Sequence, residues 1–478
     1  MKIINLEINE INTKLLLKYI NKKPNSNLAI LKKSQSIEFY TTLANDIEKS
    51  KLYPSQTWAS FNTGIEYNKH KCYWYSDHLD YKRLLWNKLA SRNKTVGIIG
   101  SIHSSKLPKD LFNNKNYKFL LPDCFSKVKT TKPCQFSSFQ DLNNKLVGDS
   151  ARVTNIFGIS KYIFNFGIKF ILSPRSFGLS FFSLKMISKI LMLAIKYKNK
   201  EFLRMAQFPL LCSIFSDLFI KYIPDYSTLF SNHIAGSMHR YWYAYETNDF
   251  ENKNKYSAKW IKRNKEAITI GFDLLDEYIG FLFKRKIFKE STIIITSSMG
   301  QEANPEFDNK FLAKYDGKIS NIDLFLDKLK KFQKDSFDLD IKYQFERNMA
   351  PQYGFNFENQ KDLDLNLVAK SIKEFILNLG LMNHIDIEGR SLVLTIDPYN
   401  DINFQEKNDL NIANKKLGSF GFKFFPIEDH HSGAHCPEGV LMVINPNDKL
   451  INEINKKSDS QFRIDYLDFH KIILNYFQ

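Results

Sequence analysis

Short unbroken apolar runs alternate along this chain with stretches spaced as helices. Residues 2–8 (Lys-Ile-Ile-Asn-Leu-Glu-Ile) read as a buried strand ending in acid. Residues 12–21 read as a helix, with Asn12 or Thr13 as its cap. A basic helix is expected at about 80–92, followed by a second buried strand at 95–100 (Thr-Val-Gly-Ile-Ile-Gly). A helix rich in Leu and Phe, about 265–285, leads into a strand at 291–297, and 439–444 (Gly-Val-Leu-Met-Val-Ile) is a further strand. Strand, helix, strand in this rhythm predicts a parallel sheet with ligands at the carboxyl ends of its strands.

Two stretches break the rhythm. Residues 155–225 are rich in Phe, Ile, Leu and Lys, poor in acid, and mostly helical in pattern. Their most apolar part, 177–197, carries Lys185 and Lys189 four residues apart on one helical face. That fits an amphipathic helix better than a membrane span. A helical insertion packed on the main domain is the plain expectation; a basic membrane-surface patch or a lid is the sharper one. Residues 318–400 mix a helix at about 365–379 with a strand at 391–396 and read as a subdomain or cap. The chain thus divides into 1–150 (first part of an α/β core), 151–230 (helical insertion), 231–317 (core continued), 318–400 (α/β subdomain) and 401–478 (C-terminal core segment).

Composition changes this picture in three ways. The 478 residues allow a large core. The net charge of +17 points to an anionic partner such as a phosphorylated or sulfated substrate, acidic lipid headgroups or nucleic acid; no nucleic-acid motif accompanies it. The five cysteines, Cys72, Cys124, Cys134, Cys212 and Cys436, are odd in number and form no CxxC pair, so reduced thiols in a cytosolic protein are expected. The opening MKIINLEINEIN meets charge at Glu7 and does not read as a secretory signal.

Chemistry concentrates in four places. In Pro54-Ser55-Gln56-Thr57-Trp58, a turn leads Thr57 to the start of a helix, where backbone N–H groups and the helix dipole stabilise an alkoxide or a bound oxyanion. Glu7 and Glu10 lie at the end of the first strand. His233, His239 and Arg240 fall within eight residues; the arginine is suited to a bidentate clamp on phosphate or sulfate. The segment Asp429-His430-His431-Ser432-Gly433-Ala434-His435-Cys436-Pro437-Glu438-Gly439 holds three of the ten histidines on a Gly-containing loop.

These segments together resemble the alkaline-phosphatase superfamily, in its type I phosphodiesterase and nucleotide pyrophosphatase branch. That branch shows Pro-Thr-x-Thr-Phe-Pro-Asn, then Thr-Gly, then His-Gly; here stand Pro54 to Trp58, Thr63-Gly64 and His70-Lys71. The family's His-x-Pro-Glu-Gly is matched by His435 to Gly439. The resemblance implies an α/β/α sandwich with a mostly parallel sheet, a helical insertion and a smaller α/β subdomain. It implies Thr57 as nucleophile with Arg240 assisting. It implies Glu7 or Glu10, His233, His239, His431 and His435 as metal ligands, and Ser55, Gln56, His70, Ser298 and Gln301 as substrate contacts. Zn, Mn or Mg is the implied cofactor.

Three ligand positions depart from the pattern. Ala235 stands where the family's Asp precedes its His by four residues, and Ser298-Met299 stand where Asp-His should bind a second metal. One ion, or none, is therefore expected rather than two. Three functional readings follow. The first is a hydrolase or transferase of phosphate-type esters (phosphodiester, phosphomonoester or sulfate). The second is a degenerate relative that binds an anionic ligand or partner. The third is a transferase acting on a surface glycan or lipid head group, with 155–225 facing the inner side of a membrane.

Overall fold

The computed structural model describes the chain except residues 1, 76, 78, 106, 126–127, 150–166, 168–170, 310–314, 348–351, 358, 398–406 and 427–429. In chain order the strands are β1 (Ile3–Ile8), β2 (Ile37–Leu43), β3 (Val96–Ile99), β4 (Tyr117–Leu121), β5 (Tyr226–Ser231), β6 (Thr292–Thr296), β7 (Gly300–Ala303) and β8 (Tyr315–Ile319). They continue with β9 (Gln344–Arg347), β10 (Gln352–Asn356), β11 (Met382–Glu388), β12 (Ser391–Asp397), β13 (Phe422–Pro426), β14 (Gly433–Cys436), β15 (Leu441–Ile444) and β16 (Arg463–Asp465).

Every residue of β1 is buried, as its apolar run requires of a central strand. It pairs in parallel with β5 on one side and β6 on the other. The full sheet has eight strands in the order β16-β2-β15-β6-β1-β5-β3-β4. Only β15 runs against its neighbours, β2 and β6. Successive side chains alternate faces: Ile4, Leu6 and Ile8 enter one hydrophobic core and Ile3 enters another. Helices cover both faces, giving the α/β/α layering expected from the chain's rhythm.

The expected elements are found close to their sequence positions. The first helix is Thr13–Lys22, capped by Asn12, whose Oδ1 accepts from Leu15 N at 2.8 Å. The later ones are Leu85–Ser91, Ala267–Leu282 and Leu365–Asn378. Two helices of the insertion, Phe181–Tyr197 and Gln207–Tyr222, pack on the first core; residues 151–166 and 168–170 of that segment lie outside the described residues. A third core belongs to the subdomain, with an antiparallel sheet β11-β12-β10-β9 and the helices Ile322–Phe337 and Leu365–Asn378. It also takes in Leu417, Phe422 and Phe424, beyond the 318–400 segment.

The sheet explains how distant segments meet. The parallel strands β1, β5 and β6 all end at one edge of the sheet. Because β15 is antiparallel, its start lies at that same edge, with Leu441 opposite Thr296. The loops after β1, β5 and β6 and the loop before β15 therefore converge, as the geometry of open α/β sheets dictates.

Candidate functional site

The helix Pro54–Thr63 is buried along its whole length. Pro54 opens it at the position where a missing N–H is harmless. Gln56 Oε1 accepts from Tyr53 N at 3.1 Å. Gly64 closes it at φ 64°, a left-handed conformation natural to glycine, against the His470 ring. Trp58 and Phe61 anchor it, the latter stacked on Phe469 at 4.4 Å. Each such buried aromatic contributes about 1.5–3 kcal/mol.

Thr57 is the fourth residue of this helix rather than its cap. Its N–H already donates to the Tyr53 carbonyl at 3.1 Å. Its hydroxyl lies 3.3 Å from the same carbonyl and shares a 2.8 Å hydrogen bond with Ser298 Oγ. Both Thr57 and Ser298 are fully buried. The neighbouring candidates are also committed. Ser55 Oγ donates to the Tyr73 carbonyl at 2.5 Å, and the Ser55 carbonyl accepts from His103 Nε2 at 2.6 Å. His70 Nδ1 accepts from Cys72 N at 3.0 Å, so its Nε2 carries the proton donated to Ser60 Oγ at 2.8 Å. Burial, then His103, pushes the His70 pKa down to about 3. In this geometry Gln56 and His70 hold the helix and its loop together.

The convergence of loops brings Glu10, His239 and His435 to one point. Their ligand atoms all lie within 4.8 Å of one another, the group of this kind found among the described residues. Glu10 Oε2 is 2.9 Å from His239 Nε2 and 3.4 Å from His435 Nε2. The other ring nitrogens are occupied: His239 Nδ1 donates to the Gly433 carbonyl at 3.3 Å and His435 Nδ1 to the Leu52 carbonyl at 2.7 Å. Gln301 Nε2 also donates to Glu10 Oε2, and Asn9 Nδ2 donates to Glu10 Oε1 at 2.7 Å. Glu10 is 2% exposed. Burial disfavours its charge, but His239 and His435 outweigh that and hold it well below the usual carboxylate range. For His435, burial opposes the charged ring, and Glu10 outweighs it and raises the pKa.

The donor set fits a divalent cation. Backbone-anchored Nδ1–H groups turn both Nε2 atoms toward one carboxylate, the usual support of metal-bound imidazoles, whose Nε2 gives up its proton to a bound ion. Four-coordinate zinc at roughly 2.0–2.2 Å places its ligand atoms about 3.3–3.6 Å apart, close to the His435–Glu10 separation and somewhat wider than the His239–Glu10 one. Two imidazoles and one carboxylate also leave a coordination position open, as catalytic zinc sites do.

Glu10 reaches the two histidines from the turn that follows β1. Asn9 and Glu10 follow β1, and Glu10 has φ 62°, the conformation glycine favours. The carboxylate thus enters the His239–His435 pair from a left-handed turn. Its neighbours are neutral: Asn9 Oδ1 accepts from Trp58 Nε1 at 2.8 Å, Ser298 bonds Thr57, and Met299 lies in the core.

The remaining candidates separate from the triad. Glu7 is fully buried on β1; burial pushes its pKa up to about 8, and the Ser101 hydroxyl beside it draws it down by less. His233 stacks on Phe208 at 3.8 Å and bonds Ser231 Oγ (2.8 Å) and the Gly271 carbonyl (3.2 Å); burial takes its pKa to about 3. Neither joins the ligand set. His431 is exposed and stacks on His239 at 5.3 Å, at the rim. Arg240 follows His239 on the helix Ala235–Tyr245, with its guanidinium beside Gly236. Asp429 lies outside the described residues. Tyr53 meets His435 edge-on at 6.1 Å, and burial, then Asp386 of β11, raises its pKa.

Two features of this site were not legible in sequence: Asn9 as the link between Glu10 and Trp58, and the backbone carbonyls of Leu52 and Gly433 as ring orienters. The second has a measurable consequence. A Cβ at Gly433 would stand 2.6 Å from the Met238 carbonyl and 2.7 Å from Gln301 Oε1. Gly433→Ala should therefore push β14 off the His239 helix, at a cost of about 1–3 kcal/mol. Denaturant midpoints should show that loss, together with weaker metal retention; unchanged midpoints would contradict the packing described.

No family model matches the sequence, and no curated protein matches it. Among solved structures, the chain is similar to phosphonoacetate hydrolase from Sinorhizobium meliloti 1021 in complex with phosphonoformate, at 11% identity over 100% of this chain and 96% of that one, with a TM-score of 0.40. It is similar to murine ectonucleotide pyrophosphatase/phosphodiesterase 5 at 9% identity over 99% and 94%, TM-score 0.38. The human form of that protein matches at 10% over 99% and 94%, TM-score 0.34. At such identities and scores nothing of those proteins' chemistry passes to this chain.

Proposed function

We propose that this chain is a hydrolase or transferase of phosphate-type esters that works with one divalent metal ion held by Glu10, His239 and His435. The observation that carries the proposal is the convergence of these three side chains, with both imidazoles oriented through Nδ1 and the carboxylate held ionised. The motifs at Pro54–Thr57, Thr63-Gly64 and His435–Gly439 supply the substrate class, by resemblance. A divalent ion there supplies Lewis-acid stabilisation of charge on a phosphoryl oxygen. The chain's own groups position that charge: Gln301 and Asn9 fix the carboxylate, and Leu52 and Gly433 fix the rings.

Thr57 is the nucleophile in this proposal. Its hydroxyl is buried between Ser298 and the Tyr53 carbonyl, so substrate must displace Ser298 or the Tyr53 turn to reach it. Thr57→Ala should abolish turnover of a 4-nitrophenyl phosphodiester, monoester and sulfate panel. It should cost the fold only about 1–2 kcal/mol, the penalty of an unpaired Ser298 hydroxyl. Full turnover in the variant would remove Thr57 from the proposal while leaving the metal centre standing.

A second reading, a relative that binds an anionic ligand without turnover, is favoured by one observation. Asn9 and Ser298, at the second metal's positions, are hydrogen-bonded to Trp58 and Thr57. Metal-loaded protein that binds phosphate but turns over none of the panel would select this reading.

A further inference from the structure

The helix Phe181–Tyr197 presents two different faces. Phe182, Ser183, Met186 and Ile190 are buried against the protein. The opposite side exposes Phe181 (88%), Leu184 (54%), Leu191 (45%), Met192 (63%) and Ile195 (76%). At 100° per residue, these five side chains form one continuous stripe about 100° wide. Large apolar side chains aligned in this way on a surface mark a contact site, whereas scattered ones need no explanation.

Charge says what the contact is. Residues 151–200 contain nine basic residues and no Asp or Glu. Lys185 and Lys196 are exposed along one edge of the stripe by helical position, and Lys198 and Lys200 are exposed just beyond the helix. Lys189, the next residue inward on that edge, is held in an ion pair by Glu277 and belongs to the packed side. An apolar stripe bordered by lysines, with the nearby acids Glu277 and Glu201 paired to Lys189 and Arg204, is the composition of helices that lie in the headgroup region of anionic bilayers. It suits a protein partner less well, because a protein interface of this charge would meet matching acids only on one particular surface.

The helix lies on the protein rather than through a membrane. Half of its circumference is built into the first core, so its axis must run parallel to any surface it touches. The helical stretch Lys200–Tyr222, which follows it, is long and apolar enough by length and composition to cross a membrane, but 61% of its most apolar window is buried inside the protein. Leu211, Ile214, Phe215, Leu218 and Phe219 of that stretch are core residues.

We infer that the exposed face of Phe181–Tyr197 is a peripheral docking surface for an anionic lipid bilayer, with Phe181, Leu184, Met192 and Ile195 entering the headgroup boundary and Lys185 and Lys196 meeting lipid phosphates. The inference does not depend on the chemistry of the metal site.

The test is flotation of the full-length protein with lipid vesicles. Vesicles of equal phosphatidylglycerol and phosphatidylcholine should carry the protein to the top of the gradient. Pure phosphatidylcholine should bind on the order of tenfold more weakly or less, and added salt should narrow the difference. Phe181→Ser with Ile195→Ser should reduce binding to the mixed vesicles at least tenfold, while Lys185→Gln with Lys196→Gln should remove the preference for the anionic lipid. These positions are exposed, so thermal denaturation should match the parent protein. No flotation with the anionic vesicles would overturn the inference. So would binding that is unchanged in the Phe181 and Ile195 double variant. A concentration-dependent dimer that the same double variant dissociates, without vesicle binding, would assign the face to a second copy of this chain instead.

Discussion

Glu10→Gln should strip the protein of its divalent ion and of turnover while leaving it folded. The change keeps the side chain's shape but only one acceptor oxygen, so one of the two amide donors, Asn9 Nδ2 or Gln301 Nε2, loses its partner at a cost of about 1–3 kcal/mol. It removes the charge that holds His239 and His435 together. Loss of a supporting partner alone costs metal affinity about 10–100-fold; loss of the anionic ligand itself should cost at least that upper figure. Elemental analysis, metal titration and circular dichroism on the same preparation would separate a lost ion from a lost fold. His435→Ala should behave alike. His233→Ala should not lower metal content, because that ring is stacked on Phe208 and bonded to Ser231 and the Gly271 carbonyl. Acidification should release the ion from the parent protein as the ring nitrogens take up protons in its place.

Glu7→Gln should have the largest effect on pH-dependent stability. Burial pushes the Glu7 pKa up to about 8 in the folded chain, against 4.5 for an ordinary glutamate, and the Ser101 hydroxyl offsets only part of that. Between those values the folded protein holds a proton that the unfolded chain has released. Stability therefore falls as pH rises from about 4.5 to 8 and then levels off, by as much as about 5 kcal/mol. The neutral amide escapes that loss. Urea midpoints of the variant and parent should agree near pH 5 and diverge with rising pH, the variant becoming the more stable. Curves that stay parallel across this range would show that Glu7 is ionised in the folded state, and hence that a cation or an unassigned donor reaches it.

The fold was legible wherever apolar runs were unbroken. Residues 2–8, 95–100 and 291–297 announced β1, β3 and β6 because central strands bury both faces. β5, Tyr-Ser-Thr-Leu-Phe-Ser, was not read as a strand: Ser227 and Thr228 look like loop residues. They are buried because their hydroxyls find partners, Thr228 with Ser101 at 2.5 Å and Ser227 near the Ile3 carbonyl. Polar strands of this kind depend on their neighbours, which sequence periodicity does not show.

The site was legible by residue type and not by geometry. His239 and His435 stand together as their motifs implied, and Glu10 reached them rather than Glu7. That choice turns on a backbone feature, the left-handed turn at Glu10, which a Glu in sequence does not signal. The resemblance also implies Ser55, Gln56 and His70 as substrate contacts. In the structure their polar atoms hold the helix and the loop that follow Tyr53. Histidines in sequence are equal; burial and the partner of each ring nitrogen separate ligands from buttresses.

The account's central claim is one metal ion bound by Glu10, His239 and His435. Elemental analysis of protein purified without chelator tests it most directly, with Glu10→Gln measured in parallel. One equivalent of a divalent metal in the parent and none in the variant is the expected result. No metal in the parent, two equivalents, or one equivalent that survives Glu10→Gln would contradict it.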